Sequence, residues 1–265
     1  MISQCLDCGA RFDDEYRSFI CPHVAFPAND GNNNFTIHEN SYLSNDHQYD
    51  ADYFLRGKES GKSLYTDYRW MPELTISMVE VMIDYLGIRK GDRILDFGCA
   101  RGYTVKAFRK LGYEAFGIDV SEWAIRNADE EIKPFLNWTN NSPLLQPEEF
   151  DWIIAKDVLE HIPTCVATVS YLMQSASVGV FAVVPLSAKD GAPYVVEDYE
   201  KDITHIHRLT LSTWTQMFTR TDWLVEALYR IEGIKDNYYK PGWEAANGFI
   251  TAQRIPGRLY GTYPM

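Results

Sequence analysis

The chain has 265 residues, 46% hydrophobic and 14% aromatic, with a net charge of -12; this suffices for one sizeable core with a small appendage. The acidic balance argues against a general pull toward phosphate backbones and makes nucleic acid a second-rank partner. No apolar run reaches the roughly 18 residues of a membrane span, and MISQCLDCGA lacks a signal-peptide pattern, so the reading is a soluble, cytoplasmic protein with no membrane partner.

Three of the five cysteines crowd the first 21 residues. Cys5 and Cys8 have the two-residue gap that lets two thiolates reach one ion from a tight turn. Cys21 and His23, straddling Pro22, can close a tetrahedral Cys3His site. Such a zinc would be structural, because four protein ligands leave no open position. The alternative is three reduced cysteines without metal. Residues 1–25 are thus expected to form a zinc knuckle.

Residues 26–71 read as a linker and arm. PANDGNNNF and SNDHQYDADY are polar and turn-rich; His38 and His47 lie here as solvated histidines or substitute ligands. GKESGKS is not a phosphate loop, since no apolar strand precedes it and its spacing is one residue short.

From Pro72 the pattern becomes regular. Leu74, Met78, Val81, Met82, Tyr85 and Leu86 predict an amphipathic helix that starts at Pro72 and stops at Gly87. RILDF is a buried strand, VKAFRKLG a helix, EAFGIDV a strand and SEWAIRNADEEI a helix capped by Ser121. FDWIIAKD is a strand, CVATVSYLMQSA a helix and VGVFAVVPL a strand. LTLSTWTQMF then predicts a helix, and WLVEALYRI and NGFITAQRI two closing strands. Alternation of this kind makes a mostly parallel sheet covered on both faces.

Gly98 and Gly102 directly follow the RILDF strand. They let the backbone turn tightly and approach a ligand beyond the carboxyl edge of the sheet. A dinucleotide fingerprint needs glycine at 100 and 103, where this chain has Ala100 and Tyr103. Asp119 ends the next strand, where a carboxylate can accept from ribose hydroxyls. The combination describes a pocket for an adenosine-bearing ligand without a pyrophosphate.

LDFGCARGY, GIDVS and FDWIIAKDVLEHIP, in that order between roughly Pro72 and Ile255, resemble the class I S-adenosylmethionine-dependent methyltransferases. LDFGCARGY looks closest to members acting on sugars and other small metabolites, some of which carry an N-terminal cysteine-rich zinc module. The resemblance implies an α/β, Rossmann-like fold over residues 72–265, with a seven-stranded, mostly parallel sheet and a closing antiparallel strand. It implies S-adenosylmethionine as cofactor, with Asp96, Gly98 and Gly102 around its methionine part, Asp119 on the ribose, Val120 on the adenine, and Asp157 nearby. Two departures stand out: Ala100 replaces the middle glycine of the loop, and PFLNWTNN lacks the usual acidic residue. Asn137, Trp138 or Thr139 would then meet the adenine. In related enzymes an arm closes over the cofactor; here Tyr65, Tyr68 and Arg69 are its candidates, against core packing for Tyr68 and Trp70.

Glu160 and His161 follow the fourth strand, where acceptor would meet the methyl group. His161 is a candidate general base or a structural histidine. His205 and His207 share one face of an extended segment, after a polar stretch, Lys189 to Asp202, that suits a lid. The expected function is methyl transfer to a small metabolite, a sugar or sugar nucleotide. The alternatives are methylation of RNA, such as a tRNA base, and a non-catalytic cofactor-binding partner subunit. The oligomeric state is not legible.

Overall fold

The computed structural model describes residues 2–4, 11–13, 48–139 and 145–255. Two short strands, β1 (Ile2–Gln4) and β2 (Arg11–Asp13), pair antiparallel as a separate sheet. Cys5, Cys8, Cys21, His23, His38 and His47 lie outside the described residues.

The first helix, α1 (Ala51–Ser60), is one the sequence reading assigned to an arm. Asp50 caps it by accepting from Tyr53 N–H at 3.0 Å, and Gly61 closes it in the left-handed region. Helix α2 (Pro72–Leu86) starts on Pro72 and ends at Gly87, as the spacing predicts. The alternating part follows in order: β3 (Arg93–Phe97), α3 (Tyr103–Lys110), β4 (Glu114–Asp119), α4 (Glu122–Arg126), β5 (Leu136–Trp138), β6 (Phe150–Lys156), α5 (Cys165–Ser175), β7 (Ala176–Pro185), α6 (Leu211–Phe218), β8 (Trp223–Leu228) and β9 (Asn247–Arg254).

Helix α4 is shorter than the predicted 121–132. Ser121 does cap it, accepting from Ala124 N–H at 3.0 Å, but Asn127 turns its amide back onto Trp123 C=O and ends the helix. Ile132 is buried in the turns that follow.

The seven-stranded sheet has the order β5-β4-β3-β6-β7-β9-β8. Every pairing from β5 to β7 is parallel, and β9 inserts antiparallel to both β7 and β8. This is the expected α/β arrangement. Strand alternation divides the core between the two faces. Trp152, Ile154, Phe181 and Val183 pack with Val79, Met82 and Phe108 on one side. Ile153, Ala155, Val180 and Ala182 pack with Leu172, Trp214 and Phe218 on the other.

The 189–202 stretch is not a free lid. Tyr194, Val196 and Tyr199 are buried in a small cluster of their own with Ala246, and Leu64, Tyr238 and Trp243 pack against it. No helix among the described residues is long and apolar enough to cross a membrane.

Candidate active site

The carboxyl ends of β3, β4 and β6 open into one cavity of about 290 Å³. The turn after β3 forms its floor. Gly98 and Gly102 have φ of 79° and 74°; a Cβ on Gly98 would lie 2.4 Å from Val158, and one on Gly102 would lie 2.6 Å from Leu136. Both positions therefore require glycine for conformation and for space. Ala100 holds φ of 49° without being glycine, and its N–H donates to Asp119 Oδ2 at 2.7 Å. The departure from glycine keeps the turn's shape and stores some backbone strain.

Asp119 closes β4. Its other oxygen, Oδ1, accepts from Ser121 N–H at 2.7 Å, so backbone donors fix both oxygens while free lone pairs remain for hydroxyl groups. Burial pushes its carboxyl up, against these two bonds. Asp96, 5% exposed, also lines the cavity, and burial pushes it up to about 7 although Lys156 draws it down.

One wall is aromatic. Tyr49, Tyr53, Phe54, Tyr65 and Tyr68 line the cavity from the segment around and after α1. Phe54 stacks on Trp123, with ring centroids 5.5 Å apart, and Tyr68 stacks on Tyr103 at 5.2 Å. Ser63 pins this cover by donating to Tyr53 C=O at 2.6 Å and accepting from Tyr65 N–H at 3.2 Å. Ser121 Oγ ties it to α4 by donating to Tyr49 C=O at 2.5 Å.

The opposite end is polar and buried. Asp157 (φ 54°) lies between Lys156 and Lys235, each ammonium 2.5 Å from one carboxylate oxygen. Burial alone would raise its pKa, but the two lysines hold it well below the usual carboxylate range. Glu160 is 1% exposed and has no such partner; burial first, and the charge of Asp157 second, push it up to about 8. His161 reaches the cavity wall, and its Nε2 lies 3.9 Å from Glu160 Oε1. Its Nδ1 is 2.8 Å from Thr204 Oγ1, and that hydroxyl donates to Asp202 Oδ1 at 2.5 Å. With the hydroxyl proton committed to Asp202, we assign the proton of His161 to Nδ1, which leaves the Nε2 lone pair free. Burial and the neighbouring His205 bring His161 down to about 4, so it is neutral near pH 7.

The predicted site residues thus separate. Tyr65, Tyr68, Asp96, Gly98, Ala100, Asp119, Val120, Asp157 and His161 all line the cavity, as does Thr139. Glu160 and His205 stand beside His161, whose ring centroid is 4.7 Å from that of His205. Four residues lie elsewhere. Arg69 is exposed and pairs with Asp67; Trp138 turns its indole N–H to Val120 C=O at 3.1 Å; Gly102 sits under the turn against Leu136. His207 departs from His205, with Nε2 2.7 Å from Ile162 C=O and its ring edge-on to Trp214. Tyr49, Tyr53, Phe54, Asp202, Thr204 and Lys235 are site residues that the sequence reading passed over. A signal for the first three existed: DADYF begins with a capping aspartate, and Gly61 follows at helix length.

A family profile described as "Methyltransferase domain" matches residues 69–228, well over half of the chain. Two curated relatives are named ubiquinone biosynthesis O-methyltransferase. The one from Methylococcus capsulatus is 30% identical over 96 residues, 34% of this chain and 40% of that protein. The one from Albidiferax ferrireducens is 32% identical over 89 residues, 31% of this chain and 35% of that protein. The match therefore spans less than half the length of either relative. A crystal structure of a SAM-dependent methyltransferase from Archaeoglobus fulgidus superposes with a TM-score of 0.50 at 16% identity, covering 69% of this chain and 95% of that one; this likeness concerns the fold. From the profile match, and in keeping with the sheet order and the glycine turn that opens its cavity, the chain belongs to the methyltransferase-domain family.

Proposed function

We propose that the chain transfers a methyl group from S-adenosylmethionine to a hydroxyl of a small metabolite. The observation that carries this reading is the single cavity joining Asp119 and the glycine turn at one end to His161 at the other, under an aromatic cover. The residues fit the cofactor: a carboxylate held by two backbone N–H groups has lone pairs left for ribose hydroxyls, and the glycine turn leaves room that side chains would fill.

When bound, S-adenosylmethionine supplies a methyl group on a positively charged sulfur. The chain's own part is to bind, align and exclude water. Asp119 and the turn hold the adenosine. Tyr49, Tyr53, Tyr65 and Tyr68 offer ring faces to a cation and close the cavity against water. The acceptor is assigned to the end of the cavity lined by His161, Ile162, Thr168 and Tyr171. His161 Nε2 is the free lone pair at that end, suited to receive the hydroxyl proton or to hold whatever activates that hydroxyl.

A concave cavity of about 290 Å³ suits a small acceptor, and the acidic charge favours it over a tRNA base. Sugars and sugar nucleotides are the acceptor class suggested by LDFGCARGY; hydroxyl-bearing precursors of ubiquinone are the class suggested by the names of the relatives. The test is a panel of both classes with isotope-labelled cofactor, run beside calorimetry of cofactor binding. Asp119→Ala is expected to weaken cofactor binding by about 2 kcal/mol, the scale of lost charged hydrogen bonds. Unchanged affinity in a folded variant would remove the central assignment.

A further inference from the structure

The group beside His161 has a feature that a lone general base does not need. Glu160, His161 and His205 each bring one ligand-capable atom within 4.8 Å of the other two. His161 Nε2 and His205 Nε2 both lie 3.9 Å from Glu160 Oε1. Glu160 Oε2 is buried without a hydrogen-bond partner among the described residues. A carboxyl 1% exposed beside two imidazoles, one of its oxygens unsatisfied, is costly unless something else completes it.

The geometry points to a divalent-cation site at this cluster, with Glu160, His161 and His205 as ligands and a first-row transition ion such as Mn2+, Fe2+ or Zn2+ as occupant. Two imidazole nitrogens and one carboxylate oxygen are the donor set that such ions take. Ligand atoms about 2.1 Å from a tetrahedral ion lie roughly 3.4 Å apart. The 3.9 Å separations therefore close with a shift of about half an ångström. The Nδ1–H tautomer of His161, fixed through Thr204 and Asp202, is the one that turns a lone pair toward the cluster; a ring N–H held by an outer polar group is how metal-bound histidines are oriented.

Local charge agrees. Lys156 and Lys235 are taken up by Asp157, and the side chains that face Glu160 are the two imidazoles. Asp202 adds a further carboxylate 4.0 Å from His205 Nε2. An ion here is short of ligands from the protein, so water or an acceptor oxygen completes its shell. Because His161 lies in the cavity wall, that acceptor oxygen would be held next to the methyl group. The role in methyl transfer rests on the proposed function above; the site itself does not.

The test separates the two. Full-length protein stripped with chelator is titrated with Mn2+, and free ion is read by electron paramagnetic resonance without acceptor or turnover. One Mn2+ per chain is expected at micromolar affinity, weakened at least tenfold in Glu160→Gln and in His205→Gln. Calorimetric S-adenosylmethionine binding and the melting transition report whether each variant is folded. A double Cys5→Ser, Cys8→Ser variant is expected to keep the Mn2+ site, since thiolates select softer ions. Absence of stoichiometric binding in the unsubstituted protein, equal binding in both folded ligand variants, or loss with the cysteines would overturn the site. Mn2+ binding without methyl transfer to any acceptor would leave the site standing and remove the functional reading instead.

Discussion

Asp96 shows how much one buried carboxyl shapes the cavity at the carboxyl end of β3. Its folded pKa is raised from 3.8 to about 7, chiefly by burial. A raised value means that the folded chain holds the proton more tightly than the unfolded chain. The corresponding stability is complete below about pH 4 and is lost as pH rises through about 7. Unliganded protein is therefore expected to melt at lower temperature as pH rises from about 5 to about 8, with Asp96→Asn flattening that slope. A cationic cofactor reverses the preference, since it binds the carboxylate better than the acid. Its affinity is expected to rise with pH up to about 7 and then level, and to be lower and nearly pH-independent in Asp96→Asn. Calorimetry across that range checks the prediction; a wild-type affinity flat with pH would mean that Asp96 does not face the cofactor's charge. A residue nearby gives the opposite kind of test. Ala100 carries φ of 49°, so Ala100→Gly relieves roughly 1 kcal/mol of strain, offset in part by the greater freedom of glycine in the unfolded chain. Its melting temperature is expected to hold or rise, and a clear fall would show that the Ala100 side chain contributes packing.

Among the elements, α1 and the segment after it make the largest difference between sequence and structure. Phe54 is 4% exposed and stacks on Trp123 and Tyr65. Phe54→Ala is expected to cost about 3 kcal/mol locally, to raise amide exchange across residues 51–68, and to weaken cofactor binding while β3, β6 and β7 stay protected. Uniformly raised exchange in the sheet would instead make the cover part of the global unit. The helix was hidden because its buried side comprises only Tyr53, Phe54 and Gly57, too narrow a stripe for periodicity to reveal. By contrast, the bounds of α2 were legible because Pro72 and Gly87 bracket an apolar run. Its buried face is Val79, Met82, Ile83 and Leu86, whereas Leu74, read as part of the apolar face, is 53% exposed. The site divides in the same way. Asp96, Gly98 and Asp119 were legible because strand, turn and carboxylate lie close together in the chain. Asp202 and Lys235 were not, since each reaches the site from a distant loop; Lys235 meets Asp157 across 78 residues. His205 and His207 share a face by spacing alone, yet the backbone of 206 and 207 donates to Glu160 C=O at 3.0 and 3.3 Å and sends the two rings to different neighbours.

For the whole molecule, the question is whether the cysteine-rich start and the sheet are one folding unit. The two core clusters are built from residues between Val79 and Ala252, and β1 pairs with β2 in a sheet of their own. Cys5 and Cys8 fall in the chain between those two strands, the place where a two-residue gap suits one ion. If the start is a self-contained zinc knuckle, protein purified without chelator carries a zinc that is lost when Cys5 and Cys8 become serine and kept in Glu160→Gln. The sheet's thermal midpoint is expected to shift by less than about 2 °C on that loss, because a separate unit contributes little to the main cooperative transition. Metal analysis and calorimetry on the same preparations decide the matter. Zinc absent from the unsubstituted protein returns the cysteines to ordinary thiols, whereas zinc loss that lowers the sheet's midpoint by many degrees would join the two parts into one unit.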